Sequence, residues 1–163
     1  MEDTLLGVSF RDADEFHSVE NKKKMSSGIP LTDEDRYPWL MAIHNYMKDL
    51  HNEGKSGVVT CSALKKSYRQ ILLTGSDIST RDQKTNSDIE SLVFVLLNGS
   101  KDIILSRMSQ RLGHFMPSSL LESQLATLEL PDNTERCIQV SIDNDVEGIT
   151  DEIIKRISEI TDS

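Results

Sequence analysis

Asp12, Asp14 and His17 are the residues of this chain whose types and spacing most directly suggest chemistry. They follow an apolar run, Leu5 to Phe10, so that a predicted strand leads straight into two carboxylates and an imidazole. An Asp-x-Asp pair at the C-terminal end of a strand lies where open α/β sheets place their ligands. It suits a site that activates a hydroxyl or holds a metal through water. Alternation along the strand end would point one side chain to the sheet surface and the other into a crevice. A solvated strand end is the plainer reading of the same pattern. Phosphate chemistry would also require a cradle of backbone N–H groups with a lysine, written Gly-x-x-x-x-Gly-Lys-[Ser/Thr]. No such cradle follows Gly7. Gly54, Lys55 and Ser56 imitate its end, but Asp49 occupies the place of its first glycine and the tripeptide precedes a strand, so it reads as a turn.

Two basic groups stand out. Lys65, Lys66 and Arg69 crowd the first turns of a predicted helix, where the macrodipole disfavours each cation by about 0.3–1 kcal/mol. Either an anion binds there or the face is simply solvated. Arg107 and Arg111 are four apart on one helical face and lead into His114. Like charges at that spacing repel slightly unless an anion lies between them. Gln124 and Glu129 offer hydrogen bonds from a later helix, and His44 and His51 read as surface residues of a long one.

These residues need elements to hold them. Short runs rich in Val and Ile at Leu5 to Phe10, Val58 to Cys61, Leu92 to Leu97 and Cys137 to Ile142 have the character of buried parallel strands. A helix is expected from about Asp35, because Pro38 fits a first turn, with Trp39, Leu40, Ile43, Met47 and Leu50 as its buried stripe. Ser62 reads as the N-cap of a second, with Leu64, Tyr68, Ile71 and Leu72 inward. Further helices follow from about Lys101, near Ser118 to Leu128, and through Ile149, Ile153, Ile157 and Ile160. The segment from Thr74 to Glu90 is polar and reads as an exposed insertion. The alternation of strand and helix predicts an α/β domain, a three-layer parallel sheet with helices on both faces, spanning residues 1–163.

Bulk properties exclude some functions. A net charge of −9 and a pI near 4.9 disfavour nucleic acid and anionic membranes as partners, since both need a dominant basic face. No run is long enough to span a bilayer and no signal peptide is visible, so a cytoplasmic address is expected. Cys61 and Cys137 read as reduced thiols in buried strands.

Several segments, taken in order, resemble the gluconokinase family of sugar-acid kinases. They are Asp12-Ala-Asp-x-x-His17, Lys24-Met-x-x-Gly-Ile-Pro-Leu31, Asp33-x-Asp-Arg-x-Pro-Trp-Leu40, Cys61-Ser-Ala-Leu-Lys-Lys-x-Tyr-Arg69, Arg107 with Arg111-x-Gly-His-Phe115, and Ser123-Gln-x-x-Thr-Leu-Glu129. The match runs from about Val8 to Ile160. The resemblance implies a P-loop kinase fold, related to shikimate and nucleoside monophosphate kinases, that moves the γ-phosphoryl group of ATP, with Mg2+, to D-gluconate. It implies Asp14 as the residue that orients and deprotonates the acceptor hydroxyl, and Asp12 as a metal contact through water. Arg36, Lys65 and Arg69 would hold the substrate. Arg111, a catalytic candidate with Asp14 and Lys65, would close with Arg107 behind it as a lid near residues 107–117 on the transferring phosphate of the nucleotide, with His17, His114 and Gln124 as polyol contacts.

The same resemblance identifies a gap. A family member should read Gly-Val-Ser-Gly-Ser-Gly-Lys-Ser and pass through a whole helix before its Asp-Ala-Asp strand, whereas here Ser9 is joined to Phe10 directly. Parallel neighbours need a crossover of roughly a dozen residues, so the fold is expected to be N-terminally incomplete. Either the first strand takes the central place and pulls Asp12 and Asp14 out of register, or it takes the outer place and the sheet is split. Both predict exposed apolar surface, hence low stability or association with another chain, such as a homodimer. Two readings follow: a gluconokinase represented by a spliced or truncated version, or an inactive relative that binds gluconate or a protein partner.

Overall fold

The structure, a computed structural model, describes residues 8–76, 88–111 and 118–161. The chain forms two compact units, Met1–Ser91 and Leu92–Ser163.

In the first unit, β1 (Ser9–Asp12) runs into a single 3₁₀ turn (Ala13–Phe16), followed by α1 (Val19–Ser26), α2 (Asp33–Asn52), β2 (Gly57–Thr60) and α3 (Lys66–Thr74). β1 pairs in parallel with β2, from Ser9 against Gly57 to Asp12 against Thr60. α2 starts two residues earlier than expected. Thr32 Oγ1 accepts from the Asp35 N–H at 3.1 Å while Asp35 Oδ2 accepts from the Thr32 N–H at 3.0 Å. This reciprocal cap satisfies the first-turn donors and fixes the start at Asp33. Pro38 therefore falls in the second turn, where it removes one intrahelical bond.

α2 buries Trp39, Leu40, Ile43 and His44. The burial of His44 corrects its expected surface position: it is 2% exposed, and its Nδ1 lies 2.8 Å from the Leu72 carbonyl. A carbonyl only accepts, so Nδ1 carries the proton. The His44 ring also abuts Gly75, which ends α3 in the left-handed conformation (φ 69°). A Cβ there would come within 2.7 Å of His44 Nε2, so Gly75 is required both by its backbone and by this close approach. His51 is exposed, against Ser91 Oγ at 2.8 Å.

α3 starts later than expected, at Lys66, and Ser62 is not its cap. The segment before it includes Ala63 at φ 36°, a conformation that a residue with a side chain rarely adopts. Arg69, 4% exposed, donates from Nη1 to the carbonyls of Ala63 (3.0 Å) and Leu64 (3.4 Å). Its guanidinium collects the loop carbonyls that a longer helix would have used. Tyr68, Ile71 and Leu72 are buried as expected. Within the Thr74 to Glu90 segment, Thr74 and Ile89 are buried rather than exposed, and the Ile89 N–H donates to the Leu73 carbonyl at 3.0 Å. Residues 77–87 of that segment lie outside the described residues.

In the second unit, β3 (Phe94–Asn98) pairs in parallel with β4 (Cys137–Ser141), Phe94 against Cys137 through Asn98 against Ser141. α4 (Lys101–Gln110) is capped by Ser100, and α5 (Ser118–Thr127) and α6 (Val146–Thr161) follow. Val140, Ile142 and Ile149 form a core on which Val95, Ile103, Ile104 and Ile153 pack. Each such side chain contributes about 1.5–3 kcal/mol when fully buried.

The strands are parallel, as expected, but pair two by two. Of the two arrangements expected from the Ser9–Phe10 junction, two separate strand pairs correspond to the split one. Their burial is correspondingly lower than predicted. Phe10 and Val58, cross-strand partners, are each 52% exposed, and Leu97 is 53% exposed. In a two-stranded sheet every strand is an edge, with one row of backbone N–H and C=O groups left unpaired by the sheet. Cys61 and Cys137 are partly buried, and burial pushes the Cys61 thiol up to about 11.

Candidate functional site

Asp12 closes β1 and begins the 3₁₀ turn. Its Oδ1 accepts from the Asp14 N–H at 3.0 Å, while Glu15 Oε1 accepts from the Asp12 N–H at 3.2 Å. Asp14 therefore sits on the turn rather than alternating with Asp12 along a strand, because the capping aspartate ends the extended backbone. His17 follows the turn, its N–H donating to the Asp14 carbonyl at 3.4 Å. Its ring stacks on Trp39, centroids 4.4 Å apart and 11° from parallel, and Trp39 is itself fixed by Nε1 donating to the Ala13 carbonyl at 2.7 Å. His17 is buried, and its Nδ1 has no hydrogen-bond partner among the described residues. Desolvation lowers its pKa, Arg36 and Lys22 lower it further, and Asp14 opposes them. The buried ring therefore disfavours a charge and leaves Nδ1 unused among the described residues.

A second cluster joins the starts of α2 and α3. Asp33, the first residue of α2, receives Lys65 Nζ on both oxygens at 3.0 Å and a short hydrogen bond from the Tyr68 hydroxyl. Arg36 Nη1 donates to that same hydroxyl at 3.2 Å and lies 4.0 Å from Asp33 Oδ1. Both cations lie over the Tyr68 ring, Lys65 at 5.3 Å and Arg36 at 5.8 Å. The hydrogen bond from Tyr68, then that from Lys65, hold the Asp33 carboxyl below its usual range. The bond to Asp33 raises Lys65. Lys24 Nζ reaches Asp35 Oδ1 at 2.7 Å and Asn21 Nδ2 donates to the Asp35 carbonyl at 2.8 Å, tying α1 to the same end of α2. Arg36 and Lys65 are thus brought together as predicted sites, while Arg69 engages the loop before α3.

Asp33, Tyr68, Asn21 and Lys24 were not singled out as site residues in the sequence. Their signal was spacing: Asp33 with Arg36, and Lys65 with Tyr68, are three apart and share a helical face.

In the second unit, Arg107 Nη2 donates to the carbonyls of Ile142 and, at 2.6 Å, Asn144, tying α4 to the loop after β4. Arg111 caps the C-terminus of α4 and is exposed. Gln124 is half-buried on α5. His114 and residues 112–117 of the expected lid lie outside the described residues.

The residues present lack the phosphate cradle that a magnesium nucleotide calls for. The sequence contains no Gly-x-x-x-x-Gly-Lys-[Ser/Thr]. Among the described residues no three His, Cys, Asp or Glu side chains gather to hold a metal. One oxygen of Asp12 is already used by the turn.

No family model matches the chain. A probable gluconokinase of Xenopus tropicalis is 47% identical over 150 residues, 91% of this chain and 79% of that protein. The chain belongs to the gluconokinase family. The thermosensitive gluconokinase of Escherichia coli K12 is 39% identical over 149 residues, covering 91% of this chain and 73% of its own length. A solved gluconokinase from Sinorhizobium meliloti 1021 superimposes with a TM-score of 0.75 at 40% identity, covering 94% of this chain and 79% of that one. A sugar kinase from Janibacter sp. HTCC2649 gives the same TM-score at 41% identity, with 91% and 79% covered. The chain therefore has the α/β P-loop kinase fold of these proteins, with its strands in two parallel pairs. Among the described residues no helix is long and apolar enough to cross a membrane.

Proposed function

We propose that this chain carries the acceptor half of a gluconokinase site and binds D-gluconate. The supporting observation is that Arg36 and Lys65, from two different helices, already converge on one carboxylate, that of Asp33. The carboxylate of a sugar acid has the same demand for two cations and a hydroxyl donor. Asp14 then meets the hydroxyl to be phosphorylated, and the free Nδ1 of His17 takes a polyol hydroxyl. The reaction of the family is transfer of the γ-phosphoryl group from ATP, with Mg2+, to give 6-phosphogluconate, and Arg107 and Arg111 are its candidate phosphate contacts here. Phosphoryl transfer depends on positioning and charge neutralisation by a lysine and a backbone cradle. This sequence supplies neither after Gly7, so transfer is severely impaired.

Calorimetric titration tests the reading. D-gluconate should bind and the neutral polyol D-glucitol should bind much more weakly. Lys65→Met should weaken gluconate by about tenfold or more, the scale of a charged hydrogen bond. Equal binding of acid and polyol would refute the carboxylate site.

A further inference from the structure

Asp33 is the member of its cluster with the chemistry of a ligand rather than of a binding group. Its side chain is 62% exposed, yet it takes Lys65 on both oxygens, the Tyr68 hydroxyl on one, and Arg36 at 4.0 Å. As a brace between helices such an exposed ion pair contributes little. As an occupant of an anion site it takes the Lys65 ammonium and the Tyr68 hydroxyl, with the Arg36 guanidinium beside them.

We infer that Asp33 stands, in the free protein, where an incoming anion binds, so that binding exchanges one anionic group for another on Arg36, Lys65 and Tyr68. This rests on the preceding reading for the identity of the anion, the carboxylate of gluconate. Three observations carry the exchange. The Asp33 side chain does not cap α2, because Thr32 and Asp35 perform that task between them, so Asp33 is free to leave without uncapping the helix. Lys65 gives α3 no side-chain cap, so the positive end of that helix adds to the pull on any anion. Finally, Arg36 and Lys65 carry two positive charges against the one negative charge of Asp33. A monoanion that displaces Asp33 meets both cations, whereas one that fails to displace it meets a single net charge.

The consequence is a self-competing site. The apparent affinity for an acid is reduced by the fraction of molecules in which Asp33 holds the cations. A neutral polyol feels no such competition. Asp33 is therefore a specificity-setting residue, acting through Arg36 and Lys65.

The full chain and its Asp33→Asn variant are titrated with D-gluconate, D-glucitol and, as a probe independent of sugar recognition, sulfate. Removal of the competitor should tighten gluconate and sulfate by about three- to tenfold and leave glucitol unchanged. Unchanged or weaker binding of both anions would overturn the inference. Tighter sulfate with no gluconate binding in either protein would uphold the anion exchange and refute gluconate as the substrate. A second measurement needs no variant. In the wild-type chain, the Asp33 carboxyl carbon followed by NMR should titrate at higher pH once gluconate or sulfate is saturating, because the carboxylate has lost Lys65 and Tyr68. An Asp33 titration that ignores both ligands contradicts the exchange.

Discussion

The two strand pairs have the same parallel pairing and opposite surroundings. In β3–β4 the inward residues Ile138 and Val140 are buried at 4% and 0% exposure, with Ile149 and Ile153 of α6 packed on the Val140 cluster. In β1–β2 the partners Phe10 and Val58 face outward. The first unit instead gains its order from α2 against α3, through Trp39, Leu40, Ile43, Tyr68 and Leu72, and from the turn that Asp12 caps. Its candidate site residues lie on that helical scaffold: Asp33 and Arg36 on α2, Lys65 and Tyr68 at the start of α3, and His17 stacked on Trp39. The proposed acceptor site is built on helix starts rather than on the two-stranded sheet. A phosphate cradle, which must be built between a strand and a helix, has no such alternative scaffold.

Mutation can break this comparison. Val140→Ala should destabilise the second unit by about 2–3 kcal/mol, from lost burial plus the cavity left behind. Val58→Ala should cost less than about 0.5 kcal/mol, as for an exposed side chain. Urea unfolding followed by probes in each unit reads both. A Val58 cost equal to that of Val140 would mean that β1–β2 is as well covered as β3–β4.

A smaller effect sharpens the role of the scaffold. His17 is buried with a lowered pKa, so the folded chain binds fewer protons there than the unfolded chain. The stability this represents is present above the ordinary histidine value of about 6.5 and is lost as pH falls below it towards the folded pKa. Thermal unfolding between pH 7.5 and pH 5, values on the order of one unit either side of 6.5, should show this slope in the wild type and a flatter one in His17→Gln. Identical slopes would show that His17 is not buried in neutral form.

Much of this was legible in the residues. The strand-helix alternation and the buried stripe of Trp39, Leu40 and Ile43 follow from periodicity, and the grouping of Arg36 with Lys65 follows from the family resemblance. What escaped was set by contacts distant in sequence. His44 looks like a surface histidine until the Leu72 carbonyl, 28 residues away, gives it a partner. Ser62 looks like an N-cap until Arg69 captures the carbonyls before α3. Asp33 looks like an ordinary first-turn acid, because helix starts favour acids whether or not a lysine from another helix is waiting.

The central claim is that the acceptor half stands while the donor half lacks its cradle. Its most direct test is a coupled assay for 6-phosphogluconate, run on this chain and on a version with the glycine-rich loop, its lysine and the following helix inserted between Ser9 and Phe10. The account predicts turnover at least about a thousandfold higher in the restored chain, the scale on which removed phosphate-stabilising groups act. Comparable turnover in the two proteins would contradict it.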